Sequence, residues 1–426
     1  MSQAVATQQQ KLIGRYRPYP EYKDSGVIWS GFIPSHWEPI RFKHVFVEKP
    51  KTSNIELPAG SISFGQVVFK DEEKLAEETK ASYQEVKVGE FLVNPLNLNF
   101  DLKSLRTALS EIDVVVSTGY IVLQCYRQLE ARYARWLLHE FDVAHMKSLG
   151  AGVRQTIGFN DIGNSYFCMP RLEEQLTIAA FLDYETARID RLIAQQQRLI
   201  ELLKEKRQAV ISHAVTKGLN PNAPMKDSGV EWLGQVPEHW SVVKLSYVLS
   251  LKSGDGITSN EIEPEGTYPV YGGNGLRGYC EQFNCNGTYA LIGRQGALCG
   301  NVNVADGKFF ASEHAVVVYP RIQFDVRFLS EFLRFMDLGQ YSVSAAQPGI
   351  SVERINMLSI AVPPIEEQSL IGQRISQVEL QIERLVVKAE AGVLLLKERR
   401  TALISAAVTG KIDLRGWTQP AEEVAA

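Results

Sequence analysis

The sequence predicts an α+β fold made of two mixed α/β domains, each followed by a long helix, with the two helices pairing as a coiled coil. Two internal repeats lead to this prediction. The phrase YKDSGVIWSGFIPSHW begins at Tyr22, and a close copy, MKDSGVEWLGQVPEHW, begins at Met225, 203 residues later. A second repeat begins at Pro170 and again at Pro363, 193 residues later. Both periods far exceed the roughly 20 to 50 residues of a solenoid, so each copy is expected to belong to a whole domain.

The second repeat is typical of a helix of about 40 residues, roughly 60 Å long. Each copy begins after proline with Glu-Glu-Gln, and carboxylates in a first turn suit the helix dipole. Apolar side chains then recur at steps of three and four, and the polar residues Glu185, Gln196 and Lys206 complete the first stripe. The two stripes are Ile178, Leu182, Ile189, Leu192, Leu199, Leu203 and Val210, and Ile371, Ile375, Val378, Ile382, Leu385, Ala389, Gly392, Leu396 and Leu403. Core helices of two separate domains are the alternative, but a lone helix cannot bury so long a stripe, which favours the coiled coil.

The segments before the helices are predicted to be mixed α/β. Residues 113–124 and 308–319 are β-branched or aromatic runs at equivalent places in the two halves. Each is followed by a short amphipathic helix, ARYARWLLHEF or DVRFLSEFLRFM, and then by a polar loop and a strand that ends at proline. The predicted divisions are a tail at 1–18, a domain at 19–170, a helix at 171–215, a linker at 216–225, a domain at 226–363, a helix at 364–412 and a tail at 413–426.

Composition is that of a globular protein that works away from membranes. The chain has 45 Lys and Arg against 49 Asp and Glu, and no run approaches the roughly 20 apolar residues of a membrane helix. The first residues lack the apolar core of a secretory signal. Five cysteines, an odd number in a long chain, indicate a reducing cytoplasm rather than a disulfide framework.

Motifs that would carry chemistry are weak. Asn94-Pro95-Leu96-Asn97 is not the motif of an amino-methyltransferase, and no P-loop for a translocase is present. Gly273 to Gly278 match G-x-G-x-x-G, but a turn-rich stretch follows where a nucleotide site needs a helix, which favours a structural turn or a loop that approaches DNA. Cys280 and Cys285 lack a paired zinc knuckle. We therefore expect no catalysis and no metal site in this chain.

The repeated His-Trp pairs have a structural interpretation. His36-Trp37 and His239-Trp240 stand at the same place in the two phrases. A catalytic role is the alternative, but a histidine beside a tryptophan in the entry segment of each domain is predicted to pack and to cap.

The phrase KDSG…W…P-x-H-W occurs twice, and each copy is followed by a helix that begins P-x-x-E-E-Q and ends L-L-K-E-[KR]-R. Together these motifs resemble the specificity subunit of type I restriction–modification enzymes. The similarity runs from about Tyr19 to Leu414. It implies two target recognition domains, related by a pseudo-twofold axis and placed at the ends of an antiparallel two-helix coiled coil. Each domain would read one half of a bipartite site in double-stranded DNA.

The resemblance also implies the partners. Two methyltransferase subunits and restriction/translocase subunits would carry the chemistry, with S-adenosylmethionine, ATP and Mg²⁺ on those partners and no cofactor in this chain. A stand-alone methyltransferase or DNA-cutting enzyme and a coiled-coil adaptor that binds only protein are the competing interpretations.

The predicted DNA-reading residues are donors and acceptors in the variable loops. They are Gln66, Lys70, Arg154, Gln155 and Thr156 in the first domain, and Asn274, Arg277, Arg294, Gln295, Gln347 and Ser351 in the second. For each one, a solvated surface position is the alternative. The first domain is not basic, with 16 Lys and Arg against 18 Asp and Glu between residues 23 and 170. Affinity is therefore expected to depend on partner subunits that add phosphate contacts.

The predicted partner-contact residues lie at equivalent positions of the two long helices. They are Glu173, Glu174, Gln175 and Lys204 in the first, and Glu366, Glu367, Gln368 and Lys397 in the second.

Overall fold

The computed structural model describes residues 16–73, 75–96, 105–126, 128–149, 156–296, 298–342 and 349–420. These described residues divide into two compact units, one from residues up to 196 together with those from 391 onward, and the other from residues 197–390. Each unit is an α/β domain together with part of both long helices. The two α/β domains and the antiparallel helix pairing of the predicted fold class are confirmed.

The first α/β domain consists of twelve short strands and four short helices in its described residues. The strands are β1 Tyr22–Asp24, β2 Phe32–Pro34, β3 Glu38–Arg41, β4 Phe46–Glu48, β5 Gly60–Ser63, β6 Gln66–Phe69, β7 Gln84–Val86, β8 Phe91–Val93, β9 Thr107–Leu109, β10 Val114–Val116, β11 Ile121–Cys125 and β12 Tyr166–Met169. The helices are α1 Glu77–Ala81, α2 Ala131–Phe141, α3 Lys147–Leu149 and α4 Phe159–Asn164, with a 3-10 turn at Phe42–His44 and a π-helical turn at Asp142–Met146. The long helix α5, Leu172–Lys217, follows.

The second α/β domain repeats this order. Its strands are β13 Met225–Asp227, β14 Gln235–Pro237, β15 Ser241–Lys244, β16 Leu249–Ser253, β17 Tyr268–Gly272, β18 Gly275–Cys280, β19 Cys285–Asn286, β20 Tyr289–Gly293, β21 Val302–Ala305, β22 Lys308–Ala311, β23 Ala315–Pro320 and β24 Ser359–Val362. Its helices are α6 Leu245–Val248, α7 Val326–Phe335 and α8 Val352–Asn356, with 3-10 turns at Ser259–Glu261 and Leu338–Tyr341. The long helix α9 is Ile365–Val408.

The sheets of the two domains correspond strand by strand. The order β4-β11-β8-β9 in the first domain matches β16-β23-β20-β21 in the second. The hairpin β5–β6 matches β17–β18, and the pair β10-β7 matches β22-β19. The parallel pairing of β17 with β22 has its counterpart in the parallel bridge between Ala59 and Val115. One topology therefore serves both domains, and the mixed α/β character predicted from the sequence is confirmed.

The long helices pair antiparallel inside each unit. In the first unit, Arg400 of α9 lies 3.3 Å from Asp190 of α5. In the second unit, Arg207 donates to Glu379. Each helix pair also closes the main core of its unit, since Ile178 and Leu403 share one cluster and Ile211 and Ile371 share the other.

The middle of the predicted helix stripe is wrong in register. Leu192, Leu199 and Leu385 are exposed, while Ile193, Ile200 and Val386 are half-buried in their place. In α5 the step after Ile189 is four residues rather than three, and the three–four alternation then continues through Gln196 and Leu203. A two-helix seam is narrow, and a straight helix drifts against a strict heptad, so one changed step moves leucines to the surface.

The segment predicted as a C-terminal tail belongs to the first unit as far as its described residues go. Leu414 is buried in the main cluster, and the Asp413 N–H donates to the carbonyl of Arg17 at 2.7 Å. Tyr16 and Trp417 both pack edge-on against Phe181. Phe181 on α5 thus contacts one aromatic residue near each end of the described chain.

Candidate nucleic-acid interface and helix-head clasp

The first turn of each long helix is bonded to the repeated phrase through a buried or half-buried carboxylate, and we call each set of bonds a helix-head clasp. The first clasp is built on the carboxylate of Glu174 in α5. His36 Nε2 lies 2.9 Å from Glu174 Oε2, and the Trp37 indole N–H and the Tyr19 hydroxyl donate to Glu174 Oε1 at 3.4 and 3.1 Å. Trp37 and Glu174 are buried. Burial and the Glu174 carboxylate raise the pKa of Tyr19 well above its usual value, so this hydroxyl stays protonated as a donor.

The neighbouring Gln175 ties the same helix head to the short helix α2. Its Oε1 accepts from the backbone N–H of Glu130 at 2.9 Å, and its Nε2 donates to the carbonyl of Pro170 at 3.0 Å. Glu130 in turn caps α2, since its carboxylate accepts from the N–H of Tyr133 at 2.7 Å. Each donor and acceptor of a buried amide is thereby used, which a buried polar side chain requires.

The second clasp repeats the histidine, tryptophan and glutamine bonds with equivalent residues, whereas the Tyr19 bond belongs to the first clasp. Glu367 accepts from His239 Nε2 at 2.7 Å and from the Trp240 indole N–H at 3.1 Å. Gln368 accepts from the N–H of Asp325 at 3.0 Å and donates to the carbonyl of Pro363 at 2.9 Å. Asp325 caps α7 as Glu130 caps α2. The prediction that the repeated His-Trp pairs pack is confirmed for the two tryptophans, which are buried. In place of the predicted capping, the pairs bond to the carboxylate in the first turn of a long helix.

Each long helix ends against the clasp that holds the start of the other. Gly410, with φ +69°, follows α9, and a Cβ there would lie 2.5 Å from Pro34 and 3.1 Å from Trp37. Gly218, with φ +73°, follows α5, and its Cβ would lie 2.9 Å from Glu367 and 3.4 Å from Trp240. Glycine is required at both ends because the backbone is left-handed and the space is filled. The linker predicted at 216–225 accordingly begins at Gly218, because α5 runs to Lys217.

The clasps change the predicted partner-contact set. Gln175 and Gln368 are buried and hydrogen-bonded within the chain, so these side chains are not exposed to a partner, which argues against their prediction as partner contacts. Glu174 and Glu367 are the acceptors of the clasps. Glu173, Lys204, Glu366 and Lys397 are exposed, and their contact with partners stays a prediction.

Three separate segments of the second domain meet at one end of its central sheet. Gly273 lies in the turn of the β17–β18 hairpin, and its carbonyl oxygen is 2.0 Å from where a Cβ on Gly293 would be. Gln295 forms a bridge with Gly349, and Ile350 donates to the carbonyl of Arg294 at 3.1 Å. The sequence positions predicted separately as a glycine turn, an IGRQG loop and a polar loop before the last strand thus form one surface.

Side chains on this surface divide into free and engaged groups. Asn274, Arg277 and Gln295 are exposed. Arg294 is half-buried and donates to Ser253 Oγ at 3.1 Å. Ser351 caps α8 by accepting from the N–H of Arg354 at 3.2 Å, so its hydroxyl has a structural role.

A carboxylate lies beside this surface. The pKa of Glu353 is lowered by its own N–H at the start of α8, then by the Ser351 hydroxyl, with Arg294 adding to the effect. Glu353 is therefore charged at neutral pH and offsets part of the positive charge of Arg294.

The first domain has the same geometry in its described part. Ile157 donates to the carbonyl of Pro95 at 3.2 Å, as Ile350 does to Arg294. Thr156 is exposed beside it. The predicted residues Arg154 and Gln155, and Gln347 in the second domain, lie outside the described residues.

The start of strand β9 is held by a hydrogen bond to the residue that follows α2. The N–H of Arg106 donates to Asp142 Oδ2 at 2.6 Å, and burial raises the pKa of Asp142 to about 6. This bond fixes the start of β9 to the end of α2.

Gln66 and Lys70 project from the hairpin β5–β6, the counterpart of the hairpin that presents Asn274 and Arg277. Both side chains are exposed. The tip of this hairpin, Phe64–Gly65, is not among the residues predicted from the sequence. Gly65 between two β-branched or aromatic runs is a signal for the turn, but it does not single out Phe64.

Other chemical possibilities find no support in the described residues. The G-x-G-x-x-G match continues into strand β18, not into the helix that a dinucleotide site needs. Among these residues there is no group of three or more His, Cys, Asp or Glu placed to hold a metal ion, and all five cysteines are free thiols. None of the helices in the described part could cross a membrane.

Comparison with known proteins gives consistent matches. Residues 237–390 match the family model described as the type I restriction modification DNA specificity domain. The Type I restriction enzyme EcoprrI specificity subunit of Escherichia coli is 43% identical over 134 residues, which are 30% of this chain and 33% of that protein. The MjaVIII specificity subunit of Methanocaldococcus jannaschii is 23% identical over 277 residues, 58% of this chain and 62% of that protein. The match thus spans less than two thirds of either relative.

Two solved structures share the fold along nearly the whole chain. One comes from a study titled as the structural basis of complex assembly and conformational transition of the type I R-M system, with TM-score 0.68 and 18% identity, covering 88% of this chain and 98% of that one. The other is the HsdS subunit of Thermoanaerobacter tengcongensis, with TM-score 0.56 and 17% identity, covering 89% and 98%. At this identity the likeness concerns the fold.

Glu174→Ala should destabilise the first unit strongly. Removing this carboxylate leaves the Tyr19 hydroxyl and the Trp37 indole N–H buried without an acceptor, which is expected to lower the free energy of unfolding by about 2–4 kcal/mol. The measurement is denaturant unfolding of the full chain. Glu173→Ala, at the exposed neighbouring position, is the control and should change stability by less than about 0.5 kcal/mol. Equal unfolding of the two variants would contradict the clasp.

Proposed function

We propose that this chain, which belongs to the family of type I restriction–modification specificity subunits, selects the DNA sequence at which such a system acts. One observation supports this above all. Two α/β domains of one topology are held by the same bonds on the same scaffold, while the segments that meet at the end of each sheet differ in sequence. Two domains that recognise different DNA sequences need a shared framework and sheet-end segments that differ.

The chain is proposed to supply recognition and not catalysis. Two methyltransferase subunits and the restriction/translocase subunits would carry the chemistry, with S-adenosylmethionine, ATP and Mg²⁺ bound by those partners. We place the assembly in the cytoplasm, where the five free thiols of this chain would stay reduced.

Two equivalent exposed surfaces on the long helices support the proposal of two identical partners. Leu202 and Leu395 are equivalent in the repeat, and both are about half exposed. Leu192 and Leu385 are a second equivalent exposed pair, and Lys204 and Lys397 are a third. Exposed leucines at repeated positions of a helix pair mark a protein-binding surface.

Leu202→Glu and Leu395→Glu should each remove one methyltransferase subunit from the complex. A buried, unpaired carboxylate at the centre of an interface costs several kcal/mol, whereas the free chain tolerates it because both positions are exposed. Mass measurement of the co-purified complex should give two partners per wild-type chain, one for each single variant and none for the double variant. Two bound partners in the double variant would show that other surfaces hold them.

Base reading is proposed for the exposed donors at the sheet ends. In the second domain these are Asn274, Arg277 and Gln295, with Arg294 beside them. In the first they are Thr156, Gln66 and Lys70. Arg154 and Gln155 lie outside the described residues and are proposed from the sequence alone. A glutamine side chain can pair with both edge atoms of adenine, and lysine suits phosphate.

Gln295→Ala should relax one base position of the site read by the second domain. If this amide makes two bonds to one base, its loss costs about 1–3 kcal/mol at that position and leaves the salt dependence of binding unchanged. The measurement is binding of the assembled complex to a library of duplexes at two salt concentrations. Gln323→Ala, an exposed glutamine just before α7, is the control. Gln295 is not a reader if its variant and the control give the same preferences.

A further inference from the structure

The hairpin β5–β6 ends in an unusual turn. Ser63 pairs with Gln66, so Phe64 and Gly65 form a two-residue loop. Both have positive φ, 47° and 76°, which is the signature of a type I′ turn. Glycine suits its position, but a bulky aromatic residue rarely adopts a left-handed backbone conformation. Asparagine is the residue that such a turn prefers at the place of Phe64.

Phe64 is held in this conformation while its ring faces solvent. The side chain is 87% exposed. The next residue must be glycine, because its φ is positive and a Cβ on Gly65 would lie 2.7 Å from Leu105. A strained backbone that presents an exposed aromatic ring lowers stability without any packing in return, and such sites are concentrated where ligands bind.

The strands of this hairpin carry no carboxylate that would repel the phosphates of a nucleic acid. Alternation along the strands puts Ser61, Ser63, Gln66 and Val68 on one face. The other face, with Val67 and Ile62, packs on the core. Residues 60–70 contain Lys70 and no carboxylate. Three acidic residues follow. Glu72 is engaged, accepting from the Ala59 N–H and from Lys80, whereas Asp71 and Glu73 are exposed at the base of the hairpin, away from its tip.

The counterpart in the second domain supports a role in binding. The hairpin β17–β18 has the two-residue turn Gly273–Asn274 between paired Gly272 and Gly275. That turn meets the surface around Gln295. The two hairpins share a topology and differ at the tip, Phe-Gly against Gly-Asn, as expected of elements that contact different sequences.

We propose that the β5–β6 hairpin enters a groove of the DNA tip first, and that Phe64 makes an apolar or stacking contact with a base there. A two-stranded ribbon fits the major groove, and an aromatic ring can contact a thymine methyl group or a base face. This assignment rests on the proposed function, since it names the contact by which the first domain reads its part of the site.

The test compares Phe64→Asn with Phe64→Trp in the full chain assembled with its partner subunits. The probes are a duplex that carries the site, found by mapping methylated DNA, and a duplex of equal composition with that site scrambled. For Phe64→Asn the melting temperature should rise, because the strain is relieved. Its affinity for the site should fall roughly 5- to 150-fold, with the salt slope unchanged. Phe64→Trp should keep wild-type affinity.

Ile28→Asn is the matched control, because Ile28 is another highly exposed apolar residue of the first domain with an ordinary backbone conformation. It should change neither the melting temperature nor DNA binding. Wild-type affinity of Phe64→Asn for the site would overturn the inference. Loss of a partner subunit from that variant would also overturn it and make Phe64 a protein contact. If the wild-type complex binds both duplexes equally, the proposed function itself fails, which is a different result from either of these.

Discussion

The fold depends on a carboxylate in the first turn of each long helix, Glu174 in α5 and Glu367 in α9. Each accepts from a histidine and a tryptophan that end the phrase at the start of the domain. The following glutamine accepts from the backbone at the N-terminus of α2 or α7. The phrase at the start of a domain and a helix in its second half are thereby bonded to one helix head. This is why a sixteen-residue phrase and a helix that begins Glu-Glu-Gln are repeated together.

This constraint separates the conserved from the variable parts of each half. A buried tryptophan, carboxylate or amide needs a hydrogen-bond donor or acceptor within bonding distance, so none of the three can be replaced alone. The strand after each phrase pairs with the strand that leads into the long helix, β3 with β12 and β15 with β24. In the part of the chain that the structure describes, the hairpin tips and sheet-end loops take no part in the clasp bonds. They can differ between the halves without loss of the framework.

The repeats allowed the two domains, the long helices and the structural role of the His-Trp pairs to be predicted from the sequence. A repeat at fixed spacing indicates that equivalent residues make equivalent bonds. It does not indicate whether those bonds lie within the chain or reach a partner. Gln175 was therefore assigned to a partner although its amide is consumed inside the chain. The register error at Leu192 has a similar origin, since leucine and isoleucine one position apart fit the pattern equally well.

The candidate interface could be predicted only in part. Gln295 and Asn274 were found because they are polar and lie in glycine-rich loops, and the structure brings those loops together. Phe64 could not be found in this way, because its distinguishing features are a backbone angle and an exposure. Such features belong to the folded hairpin, whose turn packs beside Leu105, forty residues away along the chain.

The central claim is that the second domain reads its own part of a DNA site on a common scaffold. The most direct measurement replaces residues 226–363 with the equivalent domain of a family member that reads another sequence, keeping the clasp residues, and maps methylated sites in the genome of the host. The account predicts a methylated sequence that changes in one half only. A complex that assembles but alters both halves, or neither, would contradict it.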